Sequence, residues 1–315
     1  MIIDLVILIG GLVALWLGAE FTINAAINIA KSMKISEGFI GLTILSIGTS
    51  LPEIFAHIYA SIKIVRGGDG LLSNLVVGTN IGSNIVQITF VLGMVGLLAK
   101  VYSDEKILKI DFIVMLASIL ILFFISLSGH ITRLEGVILA LLYIGYLIYL
   151  SKEERIFSKR KDKSNIWLDV VLIIVGFALL LGGAKFALEA AVRVTEILGW
   201  RGSFVGTMII GVGTALPELT TSLVGIIKGK HALSLGTLVG SNITNPLFAL
   251  GIGAAISGYL VERSLVFFDI PFWFIVSLIG LGFFWDDLKL SKRESAILVL
   301  FYAVYVFVKV KFFVF

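Results

Sequence analysis

The sequence predicts an all-α integral membrane protein with ten transmembrane helices, arranged as two inverted five-helix repeats. Hydrophobic residues make up 58% of the 315 residues and charged residues only 15%, against about 25% charged in ordinary soluble domains. The apolar residues form stretches of about 20 or more, the length that crosses a bilayer. Two polar motifs also recur at matching places in the two halves of the chain.

Ten apolar windows account for nearly the whole chain. They cover residues 3–30, 36–64, 70–99, 108–128, 132–150, 166–194, 203–227, 232–259, 264–285 and 291–313. Gly, Pro and polar residues interrupt the windows at 36–64, 70–99, 203–227 and 232–259, so we expect each of these four to fold as helix, break and helix. The N-terminal stretch MIIDLVILIGG lacks a basic segment, which favours a retained first span over a cleaved signal peptide.

One polar segment divides the chain into three predicted parts: residues 1–150 as the first repeat, 151–165 as a basic linker and 166–315 as the second repeat. Five spans in each half make the halves enter the membrane in opposite directions, so the repeat is inverted. Lys and Arg are concentrated in the loops after odd-numbered spans, above all in the linker. The positive-inside rule therefore places the linker in the cytoplasm and both termini outside. We expect the protein in the plasma membrane.

Composition also excludes several function classes. The net charge is +4, but the basic residues lie in short loops rather than on one face, which argues against a nucleic-acid partner. The absence of cysteine excludes disulfides and thiolate metal sites. Glu53 and His57 lie four residues apart, yet the His-Glu-x-x-His pattern of metalloproteases is absent. We therefore expect neither an enzyme nor a bound cofactor.

The first repeated motif places a glutamate inside each half. The strings are FIGLTILSIGTSLPEI at residues 39–54 and FVGTMIIGVGTALPEL at 204–219, so that Glu53 and Glu218 lie 165 residues apart. An ionisable residue in a bilayer costs several kcal/mol and is by default a sign of function. Two carboxylates at matching places predict one shared site for a cation.

The second repeated motif adds hydroxyls and amides. It comprises GTNIGSNIVQITFVLG at 78–93 and GTLVGSNITNPLFALG at 236–251. Residues three apart share a helix face, and the serines of the two Gly-Ser-Asn strings are expected to begin their helices. Paired interrupted segments indicate a transporter site near the midplane. The predicted path for protons or a second cation consists of Glu53, Glu218, Ser50, Ser83, Asn84, Gln87, Ser241, Asn242 and Asn245.

The chemistry of the first motif favours a hard cation. Pro52 and Pro217 each remove a helical hydrogen bond, so we expect ligand carbonyls at about residues 46–48 and 211–213. Thr49 and Thr214 add hydroxyls beside the carboxylates. This all-oxygen set suits calcium, which takes 6–8 oxygen ligands. His57 has two readings, a tuner of the site or a packed histidine, and its counterpart in the second half is a serine.

The strings GTSLPE and GTALPE, together with GTNIGSN and GTLVGSN, resemble the α-repeats of the calcium/cation antiporter superfamily over nearly the whole chain. The resemblance implies alternating access, with calcium as the transported substrate held between the two interrupted helix pairs. It assigns the calcium carboxylates to Glu53 and Glu218. The neutral ligands that it implies are the hydroxyls of Thr49 and Thr214 and the carbonyls of Ser46 and Gly211.

The coupling ion follows from departures from the family pattern. The sodium/calcium branch of that superfamily usually has Ser after Gly-Thr in both repeats, whereas this chain has Ser50 and Ala215. Where that branch has Asn and Asp in the second motif, this chain has Gln87 and Asn245. Because this chain offers fewer oxygen ligands for sodium than that branch does, we favour proton/calcium exchange. Sodium/calcium exchange is the alternative, because the Gly-Ser-Asn strings resemble that branch, and a calcium-permeable channel is a third reading.

The predicted orientation can be tested with a single cysteine. Because the chain has no native cysteine, Ser158→Cys creates one thiol in the basic linker. We expect an impermeant maleimide to label it only after cells are permeabilised. Labelling from outside intact cells would reverse the predicted orientation.

Overall fold

The computed structural model describes residues 2–33, 35–67, 70–154, 166–180, 182, 204 and 206–313. The described chain is mostly helical. Its helices, in chain order, are α1 (Ile2–Met33), α2 (Glu37–Thr49), α3 (Leu51–Val65), α4 (Leu72–Leu98), α5 (Ile107–Ser126), α6 (Arg133–Glu153), α7 (Ile166–Leu180), α8 (Gly211–Ile227), α9 (His231–Ser257), α10 (Leu265–Trp285) and α11 (Lys292–Phe313). A π-helical turn, Gly206–Ile210, precedes α8.

Six of these helices, α4, α5, α6, α9, α10 and α11, are long and apolar enough to cross a membrane. The bent pair α2–α3 makes a seventh span if it is counted as one. Each of the ten apolar windows contains at least one described helix, while the number of ten spans stays a prediction. Most of the basic linker, residues 155–165, lies outside the described residues, as do residues 183–203, which include the end of the sixth window.

The centre of the molecule is formed by α4 and α9. In each of them 78% of the most apolar window is buried, against 28% in α6 and 17% in α11. Glycines bring these central helices against the broken helices of the opposite half: a Cβ on Gly240 of α9 would lie 2.7 Å from Cβ of Ser46 in α2. Likewise, a Cβ on Gly82 of α4 would overlap the backbone of Thr207. Small residues thus allow the close helix contacts on which the central site is built.

The first motif breaks its helix in both halves, as predicted. The axes of α2 and α3 differ by 44° at Ser50, and a turn at Ala215 divides α8. Pro52 and Pro217 each lie in the first turn after the break. An N–H at this position has no partner within the helix, so proline, which lacks the N–H, costs no hydrogen bond there. The structure therefore confirms helix, break and helix for the windows 36–64 and 203–227.

The second motif does not break its helix, so the expectation for windows 70–99 and 232–259 was wrong. Both α4 and α9 continue through π-helical turns, at Gln87–Val91 and Asn245–Ala249. The wider π turn accommodates Pro246 without ending the helix. Ser83 and Ser241 consequently lie in the middle of their helices instead of at the start, as the sequence suggested.

Two strand pairs and two buried carboxylates repeat between the halves. Strand β1 (Val101–Tyr102) pairs antiparallel with β4 (Lys289–Leu290), and β2 (His130–Ile131) pairs with β3 (Tyr259–Leu260). In the first half the Tyr146 hydroxyl donates to Asp111 at 2.7 Å, and in the second half the Tyr305 hydroxyl donates to Asp269 at 2.5 Å. Among the described residues only Asp269 of these two forms an ion pair, with Lys309 Nζ 3.0 Å from its Oδ2 and both side chains fully buried.

This ion pair predicts a stability effect. Removing one partner of a buried pair costs about 3–5 kcal/mol, because it leaves an uncompensated charge. Lys309→Leu should therefore lower the unfolding temperature of the detergent-solubilised protein, and adding Asp269→Asn should recover most of the loss. Lys311→Leu, at an exposed position of the same helix, is the control and should have little effect. Equal unfolding temperatures for Lys309→Leu and wild type would contradict the assignment.

Candidate functional site

The two motif glutamates converge on one polar centre. Glu53 lies in the first turn of α3 and Glu218 in the first turn after the break in α8, and both are 0% exposed. The N-terminal turn of a helix carries a partial positive charge that favours a carboxylate there. Proline therefore has two roles in each half, since it permits the break and starts the helix that presents the glutamate.

Each carboxylate has one satisfied and one unsatisfied oxygen. Glu53 Oε1 accepts a hydrogen bond from Ser83 Oγ at 2.7 Å, and Glu218 Oε1 accepts a longer one from Ser50 Oγ at 3.5 Å. Oε2 of either glutamate has no hydrogen-bond partner among the described residues. Buried polar atoms are nearly always paired, so the two orphan oxygens indicate a place for a cation or for protons.

The neutral groups of the motifs cross from one half to the other. The side chain of Thr214 lies beside the Glu53 carboxylate, and those of Thr49 and Ser241 lie beside that of Glu218. Thr49 Oγ1 donates to the Leu45 carbonyl at 3.0 Å. Each glutamate is thus surrounded by hydroxyls of both repeats, and the structure brings together the residues that the sequence proposed as one site.

The main-chain carbonyls are less open than the sequence suggested. The carbonyl of Ser46 accepts the amide of Ser50 at 3.1 Å, and that of Gly211 accepts the amide of Ala215 at 3.2 Å. The prolines act on the carbonyls four residues before them, Gly48 and Gly213. The carbonyls of Ser46 and Gly211 therefore keep a helical hydrogen bond. Each also accepts a longer hydroxyl hydrogen bond, Gly211 from Thr214 at 3.3 Å and Ser46 from Ser241 at 3.5 Å, so a cation there would take the place of a hydroxyl donor.

The amides of the second motif bind each other across the two halves. Asn242 Nδ2 donates to Gln87 Oε1 at 2.8 Å, and Asn245 Nδ2 donates to Asn84 Oδ1 at 3.1 Å. All four side chains are 0% exposed. Asn245 Oδ1 has no hydrogen-bond partner among the described residues. Together with Oε2 of Glu53 and Oε2 of Glu218, it is one of three buried oxygens of the predicted site residues that lack a described partner.

His57 reaches neither glutamate through a described hydrogen bond. Its Nε2 lies 3.1 Å from Asn80 Nδ2, and its Nδ1 lies 3.0 Å from the Tyr259 hydroxyl. Asn80 Nδ2 also donates to the main-chain carbonyl of Asn245 at 2.8 Å, which fixes the orientation of that amide. His57 Nε2 is then an acceptor and Nδ1 carries the proton. This arrangement favours the packed, neutral histidine over a residue that acts on the site directly.

The sequence missed two residues around the site. Trp273 Nε1 donates to Asn242 Oδ1 at 3.0 Å, and Asn80 connects His57 to the second motif of the other half. Trp273 lies in a window without any motif, so no sequence signal indicated it. Asn80 lies within the repeated string, but its counterpart in the second half is Leu238.

The arrangement suits a hard cation. Among the described residues there is no cluster of three His, Cys, Asp or Glu side chains, so the donors are two carboxylates, hydroxyls, amides and carbonyls. Calcium accepts such mixed oxygen sets in irregular geometry, whereas transition metals favour sites with imidazole or thiolate.

Comparisons with known proteins agree with this chemistry. A family model described as sodium/calcium exchanger protein matches residues 3–152 and 168–311. The sodium/calcium exchanger MaX1 of Methanosarcina acetivorans is 28% identical, and the alignment covers 97% of this chain and 98% of that protein. The inner membrane protein YrbG of Escherichia coli is 27% identical over 89% of this chain and 88% of its own length.

A solved structure shows the same fold. The sodium-calcium exchanger NCX_Mj, soaked with 100 mM Na⁺ and 10 mM Sr²⁺, superposes with a TM-score of 0.82 at 26% identity, covering 97% of this chain and 98% of the other. MaX1 and NCX_Mj are both named as exchangers, which are transporters and not enzymes, and the resemblance to the calcium/cation antiporter superfamily is confirmed. The chain is a multi-pass membrane protein that belongs to the sodium/calcium exchanger protein family.

Proposed function

We propose that this protein is a secondary antiporter that exchanges calcium for protons by alternating access, with Glu53 and Glu218 shared by both ions. The observation that carries the proposal is the convergence of the two glutamates, each with Oε2 buried and unpartnered. No Lys or Arg is described in an ion pair with either carboxylate. The countercharge is then supplied by the transported ions.

Charge and ligand chemistry support calcium as the substrate. One calcium ion neutralises both carboxylates, and the surrounding hydroxyls of Thr49, Thr214 and Ser241 supply further oxygen. Calcium needs 6–8 oxygen ligands. The carboxylates, the hydroxyls and water can provide them, together with the Ser46 and Gly211 carbonyls once the hydroxyls that donate to these carbonyls turn away. In the absence of calcium, two protons neutralise the same two groups, so exchange of one calcium for two protons is electroneutral.

The proposed architecture is two inverted repeats, residues 1–150 and 166–315, joined by the basic linker 151–165. The crossed arrangement of the site supports it, because the first motif of each half packs on the central helix of the other. Other features also occur once for each half. Strands β1 and β2 of the first half pair with β4 and β3 of the second, and each half has one Asp–Tyr hydrogen bond. Such repeats suit alternating access around a fixed central site.

Protons are favoured as the coupling ion by the small number of oxygens that remain unbound. Gln87 and Asn242 already bind each other, and Ala215 lacks the hydroxyl that Ser50 has in the first half. Sodium requires several oxygens for each ion, whereas protons require only the carboxylates.

Sodium is the second candidate, and the names of the relatives favour it: both MaX1 and NCX_Mj are called sodium/calcium exchangers. The unpartnered Asn245 Oδ1 supplies one oxygen that a sodium ion could bind. The coupling experiment below separates the two candidates.

Neutralising either glutamate should stop calcium transport. Glu53→Gln and Glu218→Gln should each reduce calcium uptake into proteoliposomes by about 100-fold or more, because a buried divalent ion loses one of its two countercharges. Glu105→Gln is a control outside the spans, where the Lys109 ammonium holds the pKa of Glu105 below its usual value. Uptake near the wild-type rate in both site variants would refute the site.

The coupling ion can be identified by imposing one gradient at a time. Calcium uptake into acid-loaded proteoliposomes should increase with the pH gradient and proceed without sodium, since protons compete with calcium for the same carboxylates. In a parallel arm a sodium gradient is imposed at equal pH on both sides. Uptake driven by sodium alone, without any response to the pH gradient, would replace protons by sodium as the coupling ion.

A further inference from the structure

Four buried polar side chains cover the face of α3 that leads away from Glu53. Glu53, His57 and Ser61 follow each other at intervals of four residues and therefore share one face of the helix. The Tyr259 hydroxyl, from strand β3, lies 2.7 Å from Ser61 Oγ and 3.0 Å from His57 Nδ1. On the other side of the imidazole, Asn80 Nδ2 of α4 lies 3.1 Å from His57 Nε2. We call His57, Ser61, Asn80 and Tyr259 the clasp.

Every hydrogen bond of the clasp has a defined direction. The Asn80 amino group can only donate, so His57 Nε2 accepts and the imidazole proton is on Nδ1, from which it is donated to Tyr259. Ser61 Oγ donates to the main-chain carbonyl of Gly253 at 2.8 Å and accepts the hydrogen of the Tyr259 hydroxyl. The buried polar atoms of these side chains thus pair with one another or with the main chain, as buried polar atoms nearly always do.

The clasp joins the two halves of the chain. Its first-half members lie on α3 and α4, whereas Tyr259 follows α9 directly. Two main-chain carbonyls of α9 also accept from the first half, that of Gly253 from Ser61 and that of Asn245 from Asn80. A Cβ on Gly253 would overlap the Tyr259 hydroxyl, so glycine is needed for the tyrosine to reach α3. Separation of α3 from α9 would therefore break this whole set of hydrogen bonds.

The matched end of the second half has no clasp. At the offsets of 165 and 158 residues that relate the repeats, the counterparts of the four residues are Ser222, Ile226, Leu238 and Val101. Ser222 Oγ is buried without a described partner, and the other three side chains are buried and apolar. The ion pairs described between the halves near this end, Lys228–Glu20 and Lys230–Glu37, have side chains that are 26–43% exposed. Exposed ion pairs contribute little, so the two ends are held with unequal strength.

We propose that the clasp keeps the Tyr259 end of the ion path closed at rest, so that the two ends of the path open with unequal ease. The proposal rests on the alternating access of the proposed function, but on neither calcium nor the coupling ion. Opening this end exchanges the buried hydrogen bonds for bonds to water, and each bond favours the closed form by about two- to tenfold. Opening the opposite end breaks none of them. In the predicted orientation the clasp lies on the outer side, so the resting protein is closed to the outside.

The reactivity of a cysteine beside the clasp tests the proposal. Val76→Cys lies one turn before Asn80 on α4, and Ser234→Cys lies at the matched position of the opposite end; both native side chains are buried. In detergent, without calcium and with a water-soluble maleimide, the labelling rate depends on neither membrane orientation nor transport. Adding Tyr259→Phe should increase the rate of Val76→Cys by about tenfold, because His57 loses its acceptor. The rate of Ser234→Cys should stay unchanged.

Tyr59→Phe is the matched control, since this tyrosine is 63% exposed on the same helix as His57, and it should change neither rate. An unchanged rate of Val76→Cys in Tyr259→Phe overturns the proposal. Equal increases at both ends also overturn it, because they indicate a general loosening of the fold. If Tyr259→Phe is not recovered as folded protein, Asn80→Leu, with the residue that the opposite end has, replaces it. An unchanged rate of Val76→Cys in that variant overturns the proposal as well.

The calcium-uptake assay keeps this proposal apart from the proposed function. If the wild type takes up calcium and Tyr259→Phe leaves the labelling rates unchanged, only the clasp is refuted. If the labelling rates change as expected while Glu53→Gln takes up calcium at the wild-type rate, the calcium site is refuted and the clasp stands.

Discussion

Two carboxylates that are buried within a membrane and lack a fixed positive partner are the constraint around which the molecule is organised. Burial of an unpaired charge is costly, and the protein shows two ways of meeting this cost. Asp269 pairs with the amino group of Lys309, whose Nζ lies 3.0 Å from Asp269 Oδ2. Glu53 and Glu218 have hydroxyl neighbours and orphan oxygens instead. A fixed countercharge makes a structural ion pair at Asp269, whereas the convergence of two glutamates without one is the basis for the proposed cation site.

The rest of the fold holds these carboxylates in place. The helices α4 and α9 are the most buried of the candidate spans, and their glycines admit the broken helices of the opposite half at backbone distance. The breaks at Ser50 and Ala215 place each glutamate in the first turn of a helix. Because each half contributes to the surroundings of the other half's glutamate, a relative movement of the halves would change the ligands of both at once. This is the geometry that an alternating-access mechanism requires.

The sequence predicted the glutamates, threonines and prolines because they recur as strings, and repetition separates a functional residue from an accidental one. It did not predict Trp273, because no motif surrounds this tryptophan and its contact with Asn242 is formed only by tertiary packing. It also assigned breaks to α4 and α9, because polar and Gly-rich sequence does not distinguish an interrupted helix from one that continues through a π turn. The interpretation of His57 remained open for a similar reason, since its partners Asn80 and Tyr259 lie 23 and 202 residues away.

Near identity of the two motifs did not produce equal sites. Ser83 and Ser241 occupy matching positions, yet only Ser83 donates a described 2.7 Å hydrogen bond to a glutamate. Nearly identical motifs thus leave the two carboxylates with different hydrogen-bond donors, Ser83 at 2.7 Å for Glu53 and Ser50 at 3.5 Å for Glu218.

The central claim is that one calcium ion lies between Glu53 and Glu218. The most direct measurement is the anomalous diffraction of crystals grown with calcium, recorded at a wavelength where calcium scatters anomalously. We expect one peak bound by oxygens of both carboxylates, at about 2.3–2.6 Å from each. A peak bound by one glutamate alone, or a centre without calcium and a peak elsewhere, would contradict it.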